Sequence, residues 1–506
     1  MTKSGGPDYA KRRFISAAAA LGLGVGLPVA RAYAAKLYDL IVIGGGPAGL
    51  ACAVSAGEHG ASVLLIEKAD RLGGTLYLSG GSIAAAGTKL QARKGIKDSA
   101  DLHYADVMRL GHNKGDPAII RRYVDNAGAM ADWLEALGFQ AAAGQPTIGG
   151  GGHASFSAAR YFGGAEGGQS LIKVLLPALQ KHTSSGRVQT LLSTSAAELV
   201  VGRNKSVEGV ITVGADGKRT RYSGRAVVIA SGGYCYSPEM FKKVTGRDLH
   251  ARGGHPMNIG EGLILGESAG GFVRGGDHQM YGPGSIVKDR NYPSDIVARP
   301  DVDHKHRPQW EIQVNALGQR YVREDHPDPD LRDRMFSNQP TGRIWIVFDQ
   351  YIWESAPPLF PGVKKVDVEP LFNSHPMYFV AANLEELAVR TGLDRDNLNR
   401  TVQEYNLGVR TKNDSLGRTF LPAEIARAPF YAVEVSGWNL IGFGGLATNA
   451  EMQVLRADGS VVRNLYAAGE VVGMAALSGD LVVGGSAITA SLTFGRLLGQ
   501  RALRRT

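Results

Sequence analysis

A doubly wound α/β fold, interrupted in the chain by an inserted α+β unit, is what this sequence predicts, on three observations. From residue 37 a hydrophobic run ends in a glycine cluster, passes into a small-residue segment of helical character, and is followed by a second hydrophobic run closed by an acidic residue. Glycines number 68 in 506 residues, well above the usual share of about 7%, and they gather between hydrophobic runs with no period of the kind solenoids or propellers show. The chain is 44% hydrophobic and 20% charged, a globular mixture long enough for two domains.

The first unit is the most informative. Leu37 to Gly49 reads LYDLIVIGGGPAG, a buried parallel strand running into Gly44-x-Gly46-x-x-Gly49. Ala51 to His59 reads as a helix with small residues on its strand side, and Ser62 to Ile66 as a second strand ending at Glu67. Gly44 permits a tight turn, Gly46 lets a pyrophosphate approach the backbone, and Gly49 allows close packing of helix on strand. Pro47 and Ala48 then open a helix whose free N–H groups and positive dipole end favour phosphate. Glu67, 18 residues beyond Gly49, is placed to accept hydrogen bonds from an adenosine ribose. In this strand–turn–helix–strand–acid context the motif predicts a Rossmann-type dinucleotide site.

A second glycine cluster follows at once. Lys68 to Gly81 reads KADRLGGTLYLSGG, more backbone contact than NAD needs and in keeping with the longer FAD. From here the chain resembles the fumarate reductase/succinate dehydrogenase flavoprotein family, which includes 3-ketosteroid dehydrogenases. Gly73-Gly74-Thr75 and Ser79-Gly80-Gly81 match its second FAD loop. Gly115-Asp-Pro117 and Trp133-Leu-x-x-Leu-Gly138 resemble its helical segment, and Val207-x-Gly209-Val210 its small sheet, where Ala197 would meet the adenine through backbone. Ala230-Ser231-Gly232-Gly233-Tyr234 resembles its A-x-GG strand end, and Asn258-Ile-Gly260-Glu261-Gly262 its T-G-D-G. Asn315-x-x-Gly318-x-Arg320-Tyr321-x-x-Glu324 resembles its cap motif. Leu465-Tyr-Ala-Ala-Gly469-Glu470 and Gly484-Gly485-Ser486-Ala487 resemble the motifs that hold the ribityl chain and the flavin pyrimidine edge. A helix starting near Ser486 and running through Ala487 and Ile488 would aim its positive end at the flavin. Residues 68 to 88 contain no histidine, so the resemblance implies non-covalent FAD. It also implies an FAD-binding domain over 36–275 and 440–506 and a substrate-capping domain over 276–439.

The dicarboxylate-handling members of that family clamp substrate with His and Arg. At the matching positions stand Gly282-Pro283, Asp328, Ile441 and Val482. An unpaired carboxylate there would be desolvated at high cost, so fumarate and succinate are disfavoured. An apolar or aromatic substrate, such as a 3-ketosteroid-like or aromatic enone, is favoured. The ketosteroid dehydrogenases place a Tyr where Asp328 stands, and Tyr234, Tyr236 and Tyr281 are nearby alternatives. Asp328, His326 and Tyr281 are the candidates for proton transfer, with Arg332 a further one if a small insertion shifts the family's proton-donating Arg. The plainer reading of Glu324, Asp325, Asp328, Asp330, Arg332 and Arg334 is a salt-bridged turn of the cap. The reaction expected is hydride exchange between flavin and a carbon β to a carbonyl. Oxidation of an alcohol or amine, or a non-catalytic flavin electron relay, are the alternatives. With no second nucleotide motif, a quinone or small redox protein is the expected electron partner.

Lys11-Arg12-Arg13, an apolar stretch from Phe14 to Val29 and the A-x-A sites at Ala30–Ala32 and Ala32–Ala34 read as an export signal over 1–35 of twin-arginine type, predicting a periplasmic protein without a stable membrane span. That segment carries part of the net charge of +9. No basic run or aromatic stripe follows it, which argues against nucleic acid. Cys52 and Cys235 are the only cysteines; no disulfide framework, metal site or haem attachment is expected.

Overall fold

In the computed structural model, residues 36–149 and 153–503 are described; the export segment expected over 1–35 lies outside the described residues. The central sheet has eight strands. Its parallel core runs Val461–Ala467, Arg219–Ile229, Leu37–Ile43, Val63–Ile66, Val188–Leu191, with Gln453–Leu455 antiparallel at one edge. The two central strands, Leu37–Ile43 and Val63–Ile66, are buried along almost their whole length, as helices on both faces require. Arg219–Ile229 does double duty: its first half pairs antiparallel with Val207–Gly214, which in turn pairs Thr194–Val201, while its second half lies beside Leu37–Ile43.

The helix Pro47–Glu58 is buried from Ala48 through Gly57, because its small side chains let it lie between the sheet and the last long helix, Ser486–Arg501. The approach is tight: Cβ atoms at Gly495 and Gly499 would fall 2.2 Å from the Ala48 carbonyl oxygen and 2.5 Å from that of Cys52. Glycines at those positions are therefore a packing requirement rather than a source of flexibility.

A second, seven-stranded sheet is built around the long strand Phe430–Asn439, which pairs antiparallel with Arg343–Asp349, Tyr378–Ala381 and Gly282–Val287. Ala251–Arg252, Ser294–Ala298 and Ile312–Asn315 complete it. Helices Pro329–Ser337, Leu384–Thr391 and Arg395–Thr411 flank this sheet in the chain. Asn315, Arg320 and Glu324 prove structural here. The fully buried Glu324 carboxylate accepts from Arg320 Nε (2.9 Å) and Gln313 N (3.1 Å) and lies 3.2 Å from Arg418. Burial alone would raise its pKa, but the two guanidiniums hold it below the usual carboxylate value.

Candidate active site

The cleft forms where the strand Leu37–Ile43 ends. Gly44 has φ +106°, and a Cβ there would sit 2.4 Å from the Ala230 carbonyl oxygen; a Cβ on Gly49 would sit 1.8 Å from that of Gly44. Gly46 differs: its φ is −75°, ordinary for any residue, and nothing lies within 4 Å of a Cβ built on it. It caps the helix Pro47–Glu58 and faces open space, so the first-turn N–H groups, which have no acceptor within the helix, are presented to a ligand. Glu67 ends the next strand with its carboxylate accepting from Gly45 N (2.7 Å) and Ala69 N (2.8 Å).

Gly44, Gly46, Pro47, Ala48, Glu67, Gly74, Thr75, Ser231, Gly232, Gly469, Glu470, Ala487 and Ile488 all line this one cleft, although they come from opposite ends of the chain. The helix Ser486–Arg501 also starts at it, so two helix N-termini converge. Ser231 Oγ is buried with no hydrogen-bond partner in the protein, and so is available to a ligand atom. The Glu470 carboxyl accepts from Gly442 N (3.1 Å) and Asn258 Nδ2 (2.9 Å). Burial outweighs these contacts and pushes its pKa up to about 7. A floor without side chains at Gly46, an unpartnered hydroxyl and two positive helix ends suit a long, phosphate-bearing cofactor.

Comparison with known proteins agrees: the FAD binding domain family matches residues 39–480. The chain belongs to that family. FAD is therefore the cofactor of this flavoprotein, and the cleft is its candidate site. A relative from Klebsiella pneumoniae, an NADH:fumarate oxidoreductase, is 30% identical over 93% of this chain and 48% of its own length. The chain thus spans about half of that protein. A vinyl phenol reductase from Lactiplantibacillus plantarum is 28% identical over 88% of this chain and 91% of its own. Among solved structures, an open flavocytochrome c3 fumarate reductase superposes with a TM-score of 0.67 at 26% identity, covering 92% of this chain and 78% of that one.

Other residues expected at the flavin support the cleft from outside its lining. Gly73 N donates to Gly45 O (2.9 Å) and ties the second glycine loop to the first. Ser79 Oγ accepts from Gly81 N (3.2 Å), and a Cβ on Gly81 would meet Gly167 at 2.5 Å. Gly80 lies between them. Ser486 donates to Val483 O (2.6 Å), fixing the turn into the last helix. Gly260, with φ +85°, caps the helix Glu261–Ser268. Lys68 and Glu261 pair at 2.7 Å in a hollow beside the cleft. Ala197, expected to meet the adenine through backbone, sits in a β-bulge between Ala196 and Glu198, next to Ala196, which lines the hollow. Sequence reasoning missed His255, Met257, Met474, Leu477 and Ser491, which also line the cleft; His255 and Met257 come from a loop, Met474 and Leu477 from the short helix Met474–Ser478, and Ser491 from the second turn of the last helix, and none belongs to a motif.

None of the three proton-transfer candidates is among the residues that line the cleft. Asp328 is an exposed N-cap whose carboxylate accepts from Asp330 N (3.0 Å) at the start of the helix Pro329–Ser337. His326 Nδ1 accepts from Asp328 N (3.1 Å) within the same turn. Tyr281 is buried and points away, donating to the Asp248 carbonyl oxygen with its ring stacked on Phe241. Arg332 is held by Val302 O (3.0 Å) and Asp303 (2.7 Å). The same helix nonetheless reaches the flavin side. Arg334 donates to Asp480 Oδ1 (2.9 Å) and its carbonyl oxygen (3.0 Å), and His112 bridges Asp480 (2.9 Å) and Asp330 (3.3 Å). Asp480 stands just before Val482 and the Gly484-Gly485 turn. On this helix Asp333 is pushed up to about 7, chiefly by burial, with Asp330, Asp303 and Asp328 adding to the effect of burial against Arg332.

Proposed function

We propose that this FAD-dependent oxidoreductase exchanges hydride with a carbon β to a carbonyl on an apolar or aromatic substrate that is not a dicarboxylate. One observation carries the reading: Ile441, where dicarboxylate-handling relatives have His, lines the flavin cleft together with Met474 and Leu477. A carboxylate brought against that wall would lose its water and gain no cation. The relative that this chain covers over 91% of its length is named for a phenolic alkene, in keeping with such a pocket. Bound FAD supplies the hydride chemistry at N5.

The chain's own groups would do the rest. The helix N-termini at Pro47 and Ser486 bind and orient the cofactor. Residues 276–439 would close over the substrate and exclude water. The proton for the neighbouring carbon would come from the capping segment, whose helix Pro329–Ser337 is tied to Asp480, just before the Gly484-Gly485 turn, through Arg334. A quinone or small redox protein would exchange electrons with the flavin, and the segment before residue 36 would direct export.

Anaerobic titration of the flavin absorbance tests the assignment. Reoxidation of the reduced protein by an aromatic enone or 3-keto-4-ene steroid, with fumarate inert, is expected. Rapid reoxidation by fumarate would refute the substrate class; reduction of the flavin by alcohols or amines alone would refute the reaction.

A further inference from the structure

Behind Tyr281 lies a second cavity of about 670 Å³, within the size range of small-molecule sites, which shares no lining residue with the flavin cleft. Tyr281 lines it and is backed by Phe241 (centroids 6.3 Å), which in turn packs against Tyr234 (6.1 Å). His250 stands between Tyr281 and Tyr292, edge-on to each ring at 5.6 and 5.3 Å. Gly342, φ +59°, closes the floor: a Cβ there would meet Tyr281 at 3.1 Å and His250 at 3.2 Å.

The charges are unevenly satisfied. Lys242 pairs with Asp248 (2.8 Å), and Arg343 with the buried Glu434 (3.0 Å). Arg247 lies over the Tyr281 ring at 5.3 Å and donates to Ser337 Oγ (2.9 Å), but no carboxylate pairs with it among the described residues. Two further polar atoms at this cavity, His250 Nδ1 and Thr341 Oγ1, are buried without a hydrogen-bond partner. A guanidinium without a counter-ion, unsatisfied polar atoms and aromatic walls have one complementary ligand class: an oxyanion attached to a flat ring. Carboxylates and phosphates both match the planar guanidinium fork, and the tyrosine rings give the pocket an aromatic lining against which a flat ring packs.

We propose that this cavity is a second ligand site, separate from the flavin, for a small aromatic or heteroaromatic oxyanion held by Arg247 and His250. Titration calorimetry of the flavin-loaded protein with AMP, inorganic phosphate and benzoate tests it; the loaded form is needed because AMP is half of FAD and an empty cleft would also bind it. Saturable one-to-one binding of AMP or benzoate is expected, weakened at least tenfold by Arg247→Gln and by His250→Gln, with the flavin spectrum unchanged. The two variants are made separately, so failure of one to fold leaves the other to decide. Phosphate binding alone would retain the anion subsite and overturn the ring requirement. No saturation by 10 mM of any probe, on the order of the weakest useful affinity, or equal binding by the variants, would overturn the site.

Discussion

Two glycines three residues apart make opposite predictions. At Gly46 a Cβ meets nothing within 4 Å and φ is −75°. Alanine there is compatible with the free protein: about 0.4–1 kcal/mol gained by stiffening the unfolded chain roughly offsets the loss of a favoured helix cap. The added methyl does, however, enter the space assigned to the cofactor phosphates. Overpacking of that kind costs about 1–3 kcal/mol, so Gly46→Ala should bind FAD about 5- to 150-fold more weakly. At Gly49 the Cβ would lie 1.8 Å from the Gly44 carbonyl oxygen, where backbone meets backbone and neither can yield. Gly49→Ala should lower stability by more than about 3 kcal/mol, with flavin loss only as a consequence. Reconstitution of flavin-free protein, followed by quenching of flavin fluorescence, gives affinity; denaturant unfolding of the same samples gives stability. A Gly46→Ala protein with unchanged FAD affinity would refute the placement of the cofactor at this helix end.

Three further outcomes follow from buried charge. Glu470 has its pKa raised to about 7, so in flavin-free protein its contribution to stability is complete below about 4.5, falls as pH rises, and is lost above about 7, a total of about 3 kcal/mol at 1.36 kcal/mol per unit; Glu470→Gln should flatten that part of the pH–stability curve, and identical slopes for the two proteins would contradict it. Arg160, fully buried, bridges Asp98 and Asp106 at 2.8 Å each; Arg160→Met leaves the buried Asp98 carboxylate without its cation, while Asp106 keeps Arg109 at 2.7 Å, and should lower denaturant stability by about 3–5 kcal/mol. Asp333 is likewise pushed up to about 7, chiefly by burial, so its contribution to stability is lost as pH rises from about 4 to about 7, and Asp333→Asn should remove that part of the decline; an unchanged pH–stability curve would contradict it.

The flavin half of the site was legible because backbone geometry dictates residue type. Gly44 must have positive φ and Gly49 must lack a Cβ, so both can be read from the sequence. The cap was not legible in the same way. Asp before Pro, as in Asp328-Pro329, is both a plausible acid and a good helix cap, and only the fold shows that its oxygen accepts from Asp330 N. Tyr281 was illegible for a similar reason, since its place just before the strand Gly282–Val287 does not say where its ring points. The wall residues Met257, Met474 and Leu477 belong to no pattern at all and meet only through the sheet topology.

The contact between the helices Pro47–Glu58 and Ser486–Arg501 also sets an order of assembly. Gly495 and Gly499 close directly on Ala48 and Cys52, so the early strand–helix unit cannot acquire its full covering, or the second half of its cofactor cradle, until the last twenty or so residues of the 506 have been synthesised. A nascent chain can shape the first glycine turn soon after it emerges but has nothing with which to grip the flavin end. Cofactor capture therefore waits on the helix Ser486–Arg501, and a translation product that stops short of residue 486 is marked by its failure to turn yellow.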